Sequence, residues 1–186
     1  GCLFAANPLT GSTGVVTINL PRIGHLADDE SGFFDRLQAK VNLAIESLAI
    51  KRKVLEQFTD ENVYPYSKFY LRSIKKRAGV YWKNHFSTIG IVGMNEAYPT
   101  FLGTAITSDK GQAFAVSVMD HLRDMIAAIQ DRTGDIFNLE ATPAEGTSYR
   151  LAMIDKKRYA EILCANETDY RRGAVPYYTN STQLPV

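Results

Sequence analysis

Apolar residues between Gly32 and about Phe58 recur at intervals of three, four and seven: Phe34, Leu37, Val41, Ile45, Leu48 and Leu55. Lys, Arg, Glu and Gln fill the positions between them, which leaves one helical face apolar over about seven turns. The spacing predicts a long amphipathic helix with Ser31 as its N-cap. The same period returns in residues 108–134, where Phe114, Val118, Leu122, Met125 and Ile129 share a face and Gly134 supplies a C-terminal stop. Residues 66–78 read as a basic helix ended by Gly79, and about Asp155 to Cys164 as another.

Other segments lack that period and read as strands. Val15 to Ile18 is a β-branched run behind a Gly/Ser/Thr turn, and Pro21 closes it with a bend. "FSTIGIVGMNEA" (86–97) reads as a strand, a turn at Gly93 and a helix start carrying Asn95 and Glu96 near its positive end. A third strand falls in "DIFNLEATP" (135–143), followed by the turn "AEGTS". Strands that alternate with long helices predict parallel α/β architecture rather than a bundle or sandwich.

Composition narrows the functional classes. The chain has 186 residues, 45% hydrophobic and 22% charged, which is the balance of one globular domain, expected here over 1–186. A net charge of +1 gives no long-range attraction toward nucleic acid or an anionic membrane. Charge is uneven locally: 71–77 and 154–158 are basic, while 26–32 is acidic. Two cysteines make no disulfide framework and suggest a reducing compartment, the cytoplasm. His25, His85 and His121 stand far apart without zinc spacing. No apolar run approaches the roughly 18 residues of a membrane span. The chain opens on Gly, which suggests processing or a cut piece.

Candidate chemistry concentrates at the end, "PYYTNSTQLPV" (176–186). Thr179, Asn180, Ser181 and Thr182 offer three hydroxyls and an amide, and a helix starting there would add free N–H groups able to hold an anion. A hydroxyl-rich surface turn is the other reading of the same residues. "GIVGMNEA" lacks the third glycine of a dinucleotide loop, and Gly90 and Gly93 read as packing glycines. Glu140 and Glu145 flank a turn and could pair for acid/base work, although burying both carboxylates is costly. Met119, Met125 and Met153 read as core filler. Cys2 has no nearby base, and Cys164 reads as buried and inert.

Four blocks, "TGSTGVVTINLPRIG", "NHFSTIGIVGMNEA", "NLEATPAEGTSYRLA" and "PYYTNSTQLPV", together resemble in order those of the anaerobic (class III) ribonucleoside-triphosphate reductases, a glycyl-radical family. The resemblance covers nearly the whole chain. It implies part, about half, of a ten-stranded α/β barrel, in an enzyme that converts ribonucleoside triphosphates to the 2′-deoxy forms. In that chemistry a glycyl radical passes to a cysteine, whose thiyl takes the 3′ hydrogen of the ribose, and the 2′-hydroxyl leaves as water.

The resemblance further implies a four-cysteine metal site (zinc), ATP and dNTP effectors, a radical-SAM iron-sulfur activating enzyme, formate or a thiol reductant, and a homodimer. This sequence has no Cys-x-x-Cys and no Arg-x-x-Gly-Tyr, so these are expected beyond Val186. Position by position, Thr179, Asn180, Ser181 and Thr182 match the family's substrate-phosphate loop, and Asn19 on the "TINLPR" strand becomes a candidate lining the active site near the ribose. Cys2 precedes that strand, but Leu3 follows it where the family has arginine, so the radical cysteine is expected upstream of this chain. Two alternatives stay open: another glycyl-radical enzyme, and a stand-alone triphosphate-binding α/β module without catalysis.

Overall fold

A computed structural model describes residues 9–103 and 105–185. Three strands, β1 (Gly11–Asn19), β2 (His85–Val92) and β3 (Phe137–Ala141), form one parallel sheet in the order β1-β2-β3. Helices fill the long crossovers that parallel neighbours require. They are α1 (Leu20–Leu26), α2 (Glu30–Asp60), α3 (Pro65–Tyr70), α4 (Arg72–Ala78), α5 (Met94–Leu102) and α6 (Asp109–Thr133), with α7 (Glu145–Arg158) and α8 (Glu167–Arg171) after β3.

The two long helices form where the apolar period places them. In α6, Phe114, Val118, Leu122 and Ile129 are buried as expected, with Ile126 taking the place expected of Met125, while Met119 is exposed rather than core filler. Asp29, not Ser31, starts α2, because its carboxylate accepts the Gly32 N–H at 2.7 Å. Asp29 stands two residues earlier and makes the usual bond from an N-cap side chain to the third helical N–H, a position for which aspartate and serine are about equally suited. The basic 66–78 segment is two short helices divided at Leu71. Where a bend was expected after β1, helix α1 begins, with Pro21 in its first turn and Asn19 as its cap. Proline there loses no helical hydrogen bond, so it opens the helix instead of ending it. The "AEGTS" turn is instead the first turn of α7, which ends at Arg158 rather than running on to Cys164.

The chain divides into two compact units. Among the described residues, one comprises 9–16, 42–89 and 125–138; the other comprises 17–41, 90–103, 105–124 and 139–185. In the first, Leu71, Ile74 and Tyr81 form a small core with Trp82 packed on it. Buried Arg52 donates to the carbonyls of Trp82 and His85, each at 2.7 Å, and to the Ser87 hydroxyl at 3.0 Å. In the second unit, Phe33 and Tyr98 pack against Phe114 with ring centroids 5.0 and 5.4 Å apart. There α1 lies directly on α5: a Cβ on Gly24 would stand 2.6 Å from the Ala97 carbonyl oxygen, so only glycine permits this approach. A second cluster, Ala152, Ile162 and Tyr178, is fully buried behind the terminal segment.

Candidate functional site

The second unit gathers the end of β1, the residue after β2 and the residue after β3 around the terminal segment. Asn19 is the last residue of β1, Gly93 follows β2, and Thr142 follows β3. Each is tied to residues 178–181. The Gly93 N–H donates to the Thr179 carbonyl at 2.8 Å, and the Ser181 N–H reaches the Thr142 carbonyl at 3.4 Å. The Asn19 amide and the Tyr178 hydroxyl both donate to one carboxylate oxygen of Asp155, at 2.7 and 2.8 Å.

Asp155 is the hub of this arrangement. It is wholly buried on α7, and its other oxygen accepts the Nε of Arg22 at 2.6 Å while the guanidinium also ion-pairs with it. A buried carboxylate is tolerable because four donors surround it. Burial, followed by the Asp155 charge and hydrogen bond, pushes the Tyr178 phenol far up, so it stays protonated and donates. Ser148 braces the same residue through its backbone, accepting the Tyr178 N–H at 3.0 Å and donating to the Tyr178 carbonyl. Asn19 spends both halves of its amide on structure. Its oxygen accepts the Arg22 N–H at 3.1 Å and its nitrogen serves Asp155.

Glu96, in the first turn of α5, holds the next residue. One oxygen accepts both the N–H and the hydroxyl of Thr179, each at 2.9 Å, and the other accepts the Asn95 amide at 2.9 Å. The side chain is buried, and burial raises its carboxyl above the usual value against the opposing pull of these donors.

The four loop residues are treated unequally. No helix starts at Thr179; residues 174–185 lie outside any helix. The Asn180 N–H donates to the Gln183 carbonyl, and the Asn180 side-chain oxygen accepts the N–H groups of Thr182 and Gln183 at 2.9 and 2.8 Å. The Thr182 hydroxyl donates to Glu145 at 2.9 Å. Ser181 is exposed, and its hydroxyl has no partner among the described residues. Three carboxylates, Asp155, Glu96 and Glu145, thus hold the loop; the Thr179 and Thr182 hydroxyls are spent on two of them and the Asn180 amide donates to the Gln183 side chain at 2.9 Å. Sequence reasoning missed Asp155 and Glu96, which lie 136 and 83 residues from their partners Asn19 and Thr179.

Glu140 is exposed and Glu145 serves Thr182. Cys164 is buried as expected, though in the connection after α7 rather than in a helix. Its thiol faces Glu167 at 3.3 Å and is pushed up to about 12, by burial first and then by that carboxylate. Cys2 lies outside the described residues. Among the described residues no group of three or more His, Cys, Asp or Glu could hold a metal. The chain's two cysteines are too few for a four-cysteine site. No described helix is long and apolar enough to cross a membrane.

Comparison with known proteins gives the family of the chain. A family model for anaerobic ribonucleoside-triphosphate reductase matches residues 3–186. The enzyme of that name from Haemophilus influenzae is 25% identical over 182 residues, 93% of this chain and 25% of its own length. The one from Enterobacteria phage T4 is 26% identical over 185 residues, 93% of this chain and 28% of its own. Among solved structures, the anaerobic ribonucleotide reductase from Thermotoga maritima in complex with dATP and CTP aligns with a TM-score of 0.69 at 25% identity, covering 82% of this chain and 25% of that one. The chain therefore spans about a quarter of the length of the curated relatives it matches. With the match running from residue 3 through the terminal loop, the chain belongs to the anaerobic ribonucleoside-triphosphate reductase family.

Proposed function

We propose that this chain is a segment of the ten-stranded catalytic α/β barrel of an anaerobic ribonucleoside-triphosphate reductase, to which its described residues contribute three strands, and that Thr179–Thr182 hold the substrate's phosphates. One observation carries the reading: the terminal loop is stitched to the carboxyl ends of all three parallel strands. Ligands of parallel α/β sheets sit outside those ends, on the loops that follow the strands. The loop's N–H groups already have internal partners, the Asn180 amide donates to Gln183 and the Thr182 hydroxyl to Glu145, so phosphate oxygens meet the Ser181 hydroxyl first and take the Thr182 hydroxyl from Glu145. Asn19 acts on the ribose side through Asp155, holding the end of β1 rather than touching the sugar itself.

The remaining assignments follow from the family. A glycyl radical supplies hydrogen-atom chemistry to the whole enzyme, and a cysteine upstream of Gly1 receives it; this chain's residues bind and orient. ATP and dNTP effectors, an iron-sulfur activating enzyme of the radical-SAM type, formate or a thiol reductant, a homodimeric state and a cytoplasmic location complete the proposal.

The test uses the full-length protein that carries this chain. Equilibrium dialysis compares CTP with cytidine for the natural protein and for S181A/T182V. Loss of two hydroxyl contacts to an anion weakens CTP binding about tenfold or more and leaves cytidine unchanged. Equal losses for both ligands, or none, would remove the phosphate assignment. Failure of the activated enzyme to convert CTP to dCTP would remove the reductase itself.

A further inference from the structure

The first unit carries a surface that the loop chemistry does not use. Residues 62–84 hold six of the chain's 21 lysines and arginines and none of its 20 acidic residues, so the stretch is +6 while the rest of the chain is −5. Six of its side chains are aromatic: Tyr64, Tyr66, Phe69, Tyr70, Tyr81 and Trp82. Burial explains Tyr81 and Trp82, which belong to the small core, but not the others. Tyr66 is 81% exposed, Tyr70 62% and Phe69 59%. An open groove of about 390 Å³ runs along this surface, lined by Pro65, Phe69 and Tyr81 with Lys68, Arg72 and Lys75 around them.

We propose that this groove, formed by α3, α4 and the Tyr81 turn, is a docking surface for a partner protein that presents an acidic segment with apolar anchors. Charge fixes the sign of the partner. Lys76 and Arg77 are exposed without an ion pair among the described residues, and Lys75 meets Asp60 only at 3.9 Å. Exposed aromatics beside arginine are the side chains that dominate protein interfaces, since they bury area at little entropic cost.

The cation geometry favours carboxylates over nucleobases. The Arg72 guanidinium lies 3.9 Å above the Phe69 ring and donates to the Phe69 carbonyl at 2.7 Å, and the Lys75 ammonium lies 4.7 Å from the centre of the Tyr81 ring. Each groove ring thus already carries a cation on one face, where a stacking base would otherwise settle. Stacking also holds the guanidinium in place, with its remaining N–H groups free for the paired oxygens of a carboxylate. The Lys68 ammonium is similarly fixed by the Asp60 carbonyl at 2.6 Å.

The experiment uses the full-length protein and a fluorescein-labelled peptide of alternating glutamate and phenylalanine, read by anisotropy at low and physiological salt. Binding is expected, and it weakens as salt rises. R72E/K75E reduces it about tenfold or more, and Y66A/Y70A does so severalfold, whereas K110E on α6 leaves it unchanged. The neutral pair R72Q/K75Q, checked for folding by circular dichroism, gives an intermediate loss and separates charge from misfolding. An oligothymidylate that outcompetes the peptide through Arg72 and Lys75 would make the surface a nucleic-acid site and overturn the proposal. So would peptide binding that ignores R72E/K75E. Failure of the peptide to bind, with Lys75 and Lys76 protected from amine labelling, would show the groove covered by another part of the same protein, and would overturn it too.

Discussion

Glu96 shows how one side chain can hold a loop and limit what the loop binds. A single oxygen of its carboxylate meets both donors of Thr179. Burial raises its carboxyl above the usual 4.5, so the folded state binds the proton more tightly than the unfolded chain does. Its contribution to stability is therefore full below about pH 4.5 and is lost as pH rises through the folded value. E96Q keeps an acceptor for Thr179 but removes the titration. Urea unfolding should then show the natural protein losing stability relative to E96Q as pH rises above about 4.5, and parallel curves would refute the assignment. E96A instead leaves the two Thr179 donors without an acceptor and costs about 1–3 kcal/mol at any pH.

Among elements, the turn between β2 and α5 is the tightest constraint. Gly93 has φ +76, and a Cβ there would run into the Pro21 ring at the start of α1. G93A is expected to cost at least about 1–2 kcal/mol for the left-handed backbone, with the Pro21 clash added. It should also free the Thr179 carbonyl, so hydrogen exchange at residues 177–183 would quicken beyond the global change; slow exchange there would mean the loop does not depend on the turn. This turn was legible from the sequence, because glycine between a β-branched run and an Asn-Glu pair has few other uses. Helices α2 and α6 were legible for the same local reason, their apolar period. Helix α1 was not: Pro21 reads equally as a stop and as a first turn, and the Asn19 cap together with the close approach of Gly24 to Ala97 marks it as a first turn. The start of α7 was hidden likewise, since Gly146 reads as a turn until Ser148 and Asp155 must face Tyr178.

For the whole molecule, the chain spans about a quarter of its curated relatives, and the radical chemistry proposed for the family needs residues this sequence lacks. The 186-residue chain by itself is expected to give no glycyl-radical EPR signal after treatment with an iron-sulfur activating enzyme. A doublet from the isolated chain would place the radical on one of its own 13 glycines and overturn the expected division of labour. The basic surface of residues 62–84 belongs to this scale too, because a +6 stretch in a chain of net +1 orients encounter with a partner before any contact forms.

What the sequence alone determined is what neighbouring residues decide: two long helices, three strands in parallel α/β order, a hydroxyl-rich terminal loop and the family its blocks belong to. Backbone geometry repeats every few residues, so these features are written in local periods and local motifs. Only the tertiary structure decided that Asp155 and Glu96 anchor that loop, that Asn19 turns its amide to Asp155, and that Phe69 and Tyr81 line a groove beside Arg72 and Lys75. A buried polar group takes whichever partner the fold brings within reach, and no local period records a partner 83 or 136 residues away.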